Sequence, residues 1–122
     1  MIFKIKKKWT HGKIIAMQWT DTENFVTVLA DGTVCIFDIH GEFSQFSLGR
    51  EAKDNGVIDC IIWGSGLVVM TRNYRLIAVN NLDEPRPKLL ADASKYLYSF
   101  YFFLFLKYNI RYINSFIKIK IN

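Results

Sequence analysis

The chain has 122 residues, a formal net charge of +5 and 51% hydrophobic residues, which fits one small domain and excludes a large multi-domain enzyme. Such a charge would suggest nucleic-acid or membrane binding. However, residues 1–92 hold eleven Lys/Arg against eleven Asp/Glu, and residues 93–122 hold five Lys/Arg and no acid, so the excess belongs wholly to the tail.

Lys4, Lys6, Lys7 and Lys8 form a basic run that reads as solvated surface before a binding site. Residues 9–92 carry a net −4, with seven Lys/Arg against eleven Asp/Glu. Residues 1–8 could open a signal peptide, but the apolar run behind them, residues 14–17, is too short and leads straight into Gln18 and Trp19. The expectation is a cytosolic protein. There is no Asn-x-Ser/Thr site, and Cys35 and Cys60 sit in apolar strand-like runs, where a reduced Cys acts as a small hydrophobe. They could pair only if their strands were adjacent.

Residues 13–19 (KIIAMQW) predict the first strand, closed by the polar run 20–24. Thr20 and Glu23 have capping-box spacing, but a strand pattern follows, so a turn is expected. Residues 25–43 (FVTVL-ADG-TVCIFDI-HGEF) are the centre of the chain: two β-branched and aromatic strands around Asp31-Gly32, a pair that suits a tight hairpin turn. His40-Gly41-Glu42 turns again, so residues 43–48 complete an antiparallel meander of four strands. Residues 49–56 (GREAKDNG) read as a connecting loop.

The pattern then restarts. Residues 57–63 (VIDCIIW) end in Trp as KIIAMQW does, Gly64-Ser65-Gly66 turns, residues 67–71 and 74–79 are strands around Arg72-Asn73, and residues 89–91 are a last strand after the proline-bearing loop 80–88. Self-similarity from Trp19 to Trp63 with four short strands per unit is the signature of β-propeller blades. The expected fold is all-β: a partial propeller over residues 9–92 with blades near 13–48 and 57–91, a basic segment 1–8 and an aromatic tail 93–122. Two blades do not close a ring, so further blades in a longer protein or an incomplete product are implied.

Chemistry finds little footing. His11 and His40 each sit beside Gly in turns, where a solvated or backbone-bonded imidazole is the simpler state. Cys35, Cys60 and the two histidines lack the close pair spacing of zinc sites. Gly64-Ser65-Gly66 is not a full nucleophile elbow, and no phosphate-cradling loop with Lys follows a strand. Asp31, Asp38 and Asp59 suit turn and blade-edge hydrogen bonds. Trp19 and Trp63, at equivalent strand ends, are expected to pack between blades, with a partner-anchoring role as the alternative. No catalytic, cofactor-binding or metal residue is therefore assigned, no cofactor is expected, and no residue is assigned to partner contact.

An ordered set of elements carries a resemblance: Trp19-Thr20, Asp31-Gly32-Thr33-Val34, Asp38-Ile39-His40-Gly41-Glu42-Phe43, Ser47-Leu48-Gly49 with Glu51, and Trp63-Gly64-Ser65-Gly66. Trp9 to Lys13 and Lys88 to Asp92 fit as flanks. Over residues 9–92 the chain resembles the N-terminal propeller region of the vacuolar protein sorting-associated protein 16 family. The resemblance implies a non-catalytic subunit of the HOPS and CORVET membrane-tethering complexes, with a propeller followed by an α-solenoid. It implies other class C tethering-complex subunits as partners, including the Sec1/Munc-like subunit through parts missing from this chain, no nucleic acid, and peripheral placement on late endosome and vacuole or lysosome membranes. The alternatives are a generic WD-type propeller interaction module and a small membrane-associated protein held by its tail.

From about Ala93 the composition shifts to Phe, Tyr, Leu, Ile, Lys and Asn, and ten of the nineteen aromatics fall in the last thirty residues. The apolar stretch 96–106 is short of the ~20 residues that span a bilayer as a helix. An interfacial helix, a native continuation of the fold, and a non-native tail from an unspliced intron or shifted gene model all account for it. Reading spliced messenger RNA across codons 85–105 separates the last from the others.

Overall fold

The computed structural model describes residues 12–90 and Lys107. The basic run 1–8, the flank 9–11, the expected strand end at Ala91 and, Lys107 aside, the tail 93–122 lie outside these residues. The element order is β1 (Ile14–Trp19), β2 (Phe25–Leu29), β3 (Thr33–Phe37), β4 (Phe43–Ser47), α1 (Arg50–Asn55), β5 (Val57–Ile62), β6 (Leu67–Thr71), β7 (Leu76–Val79) and β8 (Lys88–Leu89). They form two four-stranded antiparallel sheets, ordered β1-β2-β3-β4 and β5-β6-β7-β8, so the fold is all-β and propeller-like, with one meander per unit.

Strand periodicity explains how the sheets meet. The pairs Ala16↔Val28, Val28↔Val34, Val26↔Ile36 and Val34↔Phe46 put these side chains on one face of the first sheet. Cys60↔Val69, Ile62↔Leu67, Val69↔Ile77 and Leu67↔Val79 do the same in the second. The two faces close on each other in a single aliphatic cluster around Val26, Val28, Val34, Ile62, Leu67, Val69 and Val79. Burying each such side chain contributes about 1.5–3 kcal/mol relative to leaving it exposed.

The remaining faces differ. On the second sheet, Ile61, Trp63, Val68, Met70, Leu76, Ala78 and Leu90 form another buried cluster, so β6 and β7 are buried along their whole length and read as unbroken apolar runs. Lys107 Nζ reaches Asp59 Oδ2 at 3.2 Å, and Asp59, opposite Met70, stands on that same face. On the first sheet the outer face buries Leu29, Thr27 and Cys35 and is aromatic and open at the end of the 20–24 and 38–42 turns. Met17, Trp19 and Phe43 are 54%, 43% and 47% exposed, and tilted ring contacts join Trp19 to Phe25 and Phe37 to Phe43.

Neither Trp packs between the two sheets, contrary to expectation. Trp19 projects onto the open outer face, because its neighbour Gln18, paired with Val26, takes the inward direction. Trp63 is buried, but in the outer cluster of the second sheet, with its Nε1 donating to Ser65 Oγ at 3.1 Å.

The stretch expected as a loop between the units holds the helix α1. Its six residues are too few to show a helical period, and their polarity resembles a loop. Tertiary contact holds it in place: Ala52 is fully buried against Gly32, where an added Cβ would lie 2.7 Å from Ala52 Cβ. Glu51 Oε1 accepts from Asn73 Nδ2 at 3.0 Å and pairs with Arg75 Nε at 3.2 Å, tying α1 to the β6–β7 turn. At this exposure the pair contributes little, about 0–1 kcal/mol. Two strand bounds also shift: β7 starts at Leu76 instead of Tyr74, and β8 is Lys88–Leu89 instead of residues 89–91.

Three hairpin turns share one construction. In 20–24, 38–42 and 71–75, the backbone N–H of the first residue donates to the carbonyl of the fifth, and its own carbonyl accepts from the N–H of the fourth. The fourth residue, Glu23, Gly41 or Tyr74, has a left-handed φ of 61°, 81° or 62°. A side-chain oxygen of the first residue then accepts the fifth backbone N–H: Thr20 from Asn24 at 3.2 Å, Asp38 from Glu42 at 2.8 Å, Thr71 from Arg75 at 3.0 Å. This oxygen holds a backbone geometry that Glu and Tyr adopt only at a cost of about 1–2 kcal/mol.

Candidate functional site

In an antiparallel meander, alternate turns fall at the same end. The 20–24 and 38–42 turns therefore share one end of the first sheet, and the 63–66 turn and the segment after β7 share one end of the second. Where these ends meet, a cleft of about 310 Å³ opens between the sheets. Its floor is apolar, from Val26, Ile36 and Leu82 with Phe43 at the rim, and its walls carry the hydroxyl and amide groups of Thr20, Thr22, Asn24, Ser44, Ser65 and Asn81. Asp38, Glu42 and Asp83 add three carboxylates, and among the described residues no Lys or Arg lines it. Asp21 closes against the 63–66 turn so tightly that a Cβ on Gly64 would overlap its carboxylate.

The residues singled out from the sequence fall elsewhere, apart from Asp38 and the Gly64-Ser65 turn. His40 is exposed on the 38–42 turn, and its backbone N–H donates to Asp38 Oδ1 at 2.8 Å. Asp31 Oδ1 accepts from Thr33 N at 2.9 Å, and Asp59 Oδ1 from Cys60 N at 2.8 Å. Cys35 and Cys60 are free thiols on different sheets, and His11 lies outside the described residues. Among the described residues no three His, Cys, Asp or Glu side chains come together to hold a metal ion. The cleft residues had a signal in the sequence that motif reading missed. The polar runs TDTEN, DIHGE, GSG and NNLD close alternate strand ends, and placing those ends together predicts a shared polar mouth.

Burial, and secondarily the charge of Asp59, pushes the Cys60 thiol far above its ordinary value of 9.0. Burial and then Asp31 push Cys35 up as well. Both thiols should resist a charged disulfide reagent at pH 8 in the folded chain and react once urea unfolds it. The unfolded thiols ionise first as pH rises, so their contribution to stability is fully present below about pH 9 and is lost above it. A chain with both cysteines changed to Ala should therefore lose less stability between pH 8 and pH 10.5 than the parent. An equal loss of unfolding free energy by the two chains between these pH values, read from urea titrations, would contradict this.

Two stacked four-stranded meanders define a propeller-type β scaffold. The family described as Vps16, N-terminal region, matches residues 3–110, both sheets and part of the aromatic segment beyond Ala93, and the chain belongs to that family. Protein VACUOLELESS1 of Arabidopsis thaliana is 32% identical over 89 residues, covering 70% of this chain and 10% of that protein. A vacuolar protein sorting-associated protein 16 homolog of Dictyostelium discoideum is 37% identical over 78 residues, 62% of this chain and 9% of that protein. A probable homolog of the same name in Schizosaccharomyces pombe is 29% identical over 84 residues, 69% of this chain and 10% of that protein. The chain thus spans about a tenth of the length of the curated relatives it matches.

Proposed function

We propose that this chain supplies propeller blades to a non-catalytic scaffold subunit of the HOPS and CORVET membrane-tethering complexes, acting in transport to the late endosome and the vacuole or lysosome. The observation that carries this reading is the family match across both meanders, joined through one continuous core. The names of the relatives, which speak of vacuolar protein sorting, support it. In this reading the protein is cytoplasmic and peripheral on its target membrane. Its partners are the other class C subunits, with the Sec1/Munc-like subunit engaged through helical parts of the family architecture and not through these sheets. Among the described residues no helix is long and apolar enough to cross a membrane.

The test is disruption of the gene that encodes this sequence, with purification of its tagged product. Secretion of a soluble vacuolar hydrolase on disruption, together with recovery of the other class C subunits on the tagged protein, is the expected result. Normal hydrolase delivery, or purification without those subunits, overturns the reading.

A further inference from the structure

The two ends of the stacked sheets carry opposite charge. Lys13, Arg50, Lys53, Arg72 and Arg75 outnumber Asp31, Glu51 and Asp54 at the end where α1 packs, by their positions on the strand starts, the turns and the helix. Asp21, Glu23, Asp38, Glu42, Asp83 and Glu84 all lie on the connections at the cleft end, where Arg86 and, at the start of β8, Lys88 are the basic residues among those described. Inside the cleft, Glu42 and Asp83 form no ion pair with any described residue, whereas Glu51 at the far end is paired with Arg75. We propose that the cleft is a docking groove for an extended peptide segment bearing Arg or Lys side chains.

Three features select that occupant. The volume of about 310 Å³ is at the small end of the ~300–1,000 Å³ typical of ligand sites, room for a short stretch of chain and not for a folded element. The apolar floor of Val26, Ile36 and Leu82 suits the aliphatic stem of a Lys or Arg, and the carboxylates at the rim suit its charged head. Of the wall groups, Thr20, Thr22, Asn24 and Ser65 bond within the turns, which fixes the shape of the groove, and the Asn81 amide N–H can donate to a carbonyl of an extended segment. A divalent ion is a poorer occupant, because the carboxylates do not converge into a three-ligand cluster. Nucleic acid and anionic lipid carry the sign that this end repels.

The groove is tested with the full chain and a fluorescein-labelled heptapeptide, Ala-Arg-Ala-Lys-Ala-Arg-Ala, by fluorescence anisotropy at low salt. Glu42→Gln combined with Asp83→Asn removes two carboxylates whose side chains build no turn, and should weaken binding about tenfold. The far-end pair Glu51→Gln and Asp54→Asn should leave binding unchanged, and a peptide with Glu in place of Arg and Lys should not bind. Thermal melts of both double variants matched to the parent exclude unfolding as the cause. Equal weakening by the two double variants, or none by the cleft pair, overturns the proposal. So does binding confined to a peptide copying residues 1–10, which would make the chain's own N-terminal segment the occupant.

Discussion

Leu67→Ala is expected to lower the free energy of unfolding by about 2–5 kcal/mol, a large fraction of the ~5–15 kcal/mol that holds a small domain together. Leu67 is fully buried, and its cross-strand partners Ile62 and Val79 lie in the same cluster between the sheets. Truncation there removes apolar contact with both sheets at once, and strands on either side restrict collapse into the void. Urea denaturation followed by far-ultraviolet circular dichroism reads the change. Leu89→Ala, at a position 48% exposed on the short edge strand β8, is the control and should move the midpoint little. Equal effects would mean that the shared core does not carry the stacking of the sheets.

Gly66→Ala is the second large effect, and its contrast with Gly64→Ala gives it diagnostic value. A Cβ on Gly66 would overlap the backbone carbonyl of Val79 and lie 2.7 Å from Trp63 Cζ2 and 2.9 Å from the Asn80 carbonyl oxygen. Backbone at the end of β7 cannot swing aside without breaking its ladder with β6, so overpacking here should cost about 1–3 kcal/mol or more. The three atoms nearest a Cβ on Gly64 all belong to the carboxylate of Asp21, the far end of a side chain on an exposed turn. That substitution should cost clearly less, because the carboxylate can rotate out toward water. Tryptophan fluorescence during urea unfolding follows both variants, since Trp63 reports directly on the turn. If the two variants were equally stable, the close approach of the β5–β6 turn to β7 would not be a determinant of the second sheet.

What was readable in the sequence follows from how local each feature is. Alternation in FVTVL and TVCIF around Asp31-Gly32, and the restart at VIDCIIW, state the strands and the repeat directly, because a hairpin is made by neighbours in sequence. The helix α1 was hidden because Ala52 is held by Gly32, twenty positions away, and six polar residues carry no period of their own. The Trp pair misled because equal places in a repeat do not imply equal burial. The second sheet is covered on both faces, and the first leaves exposed the end of its outer face that carries Met17, Trp19 and Phe43. The left-handed turn residues were legible only at Gly41; at Glu23 and Tyr74 the geometry is imposed by Thr20 and Thr71, whose hydroxyl bonds no composition rule announces. The cleft belongs to neither sheet alone and emerges only when the two are stacked.

Every strand in each sheet pairs only with its neighbour in the chain, and that order has a consequence for synthesis on the ribosome. Contacts within a sheet have low sequence separation, so the first meander can form as soon as Ser47 clears the exit tunnel, while β5 is still inside it. Its inner face of Val26, Val28 and Val34 then waits for the second sheet. At ~5–20 residues per second the segment from Val57 to Val79 takes roughly a few seconds to emerge. During that interval a half-built scaffold displays bare aliphatic surface on one side and aromatic surface on the other, which makes the nascent chain, more than the finished fold, the natural client of a ribosome-bound chaperone.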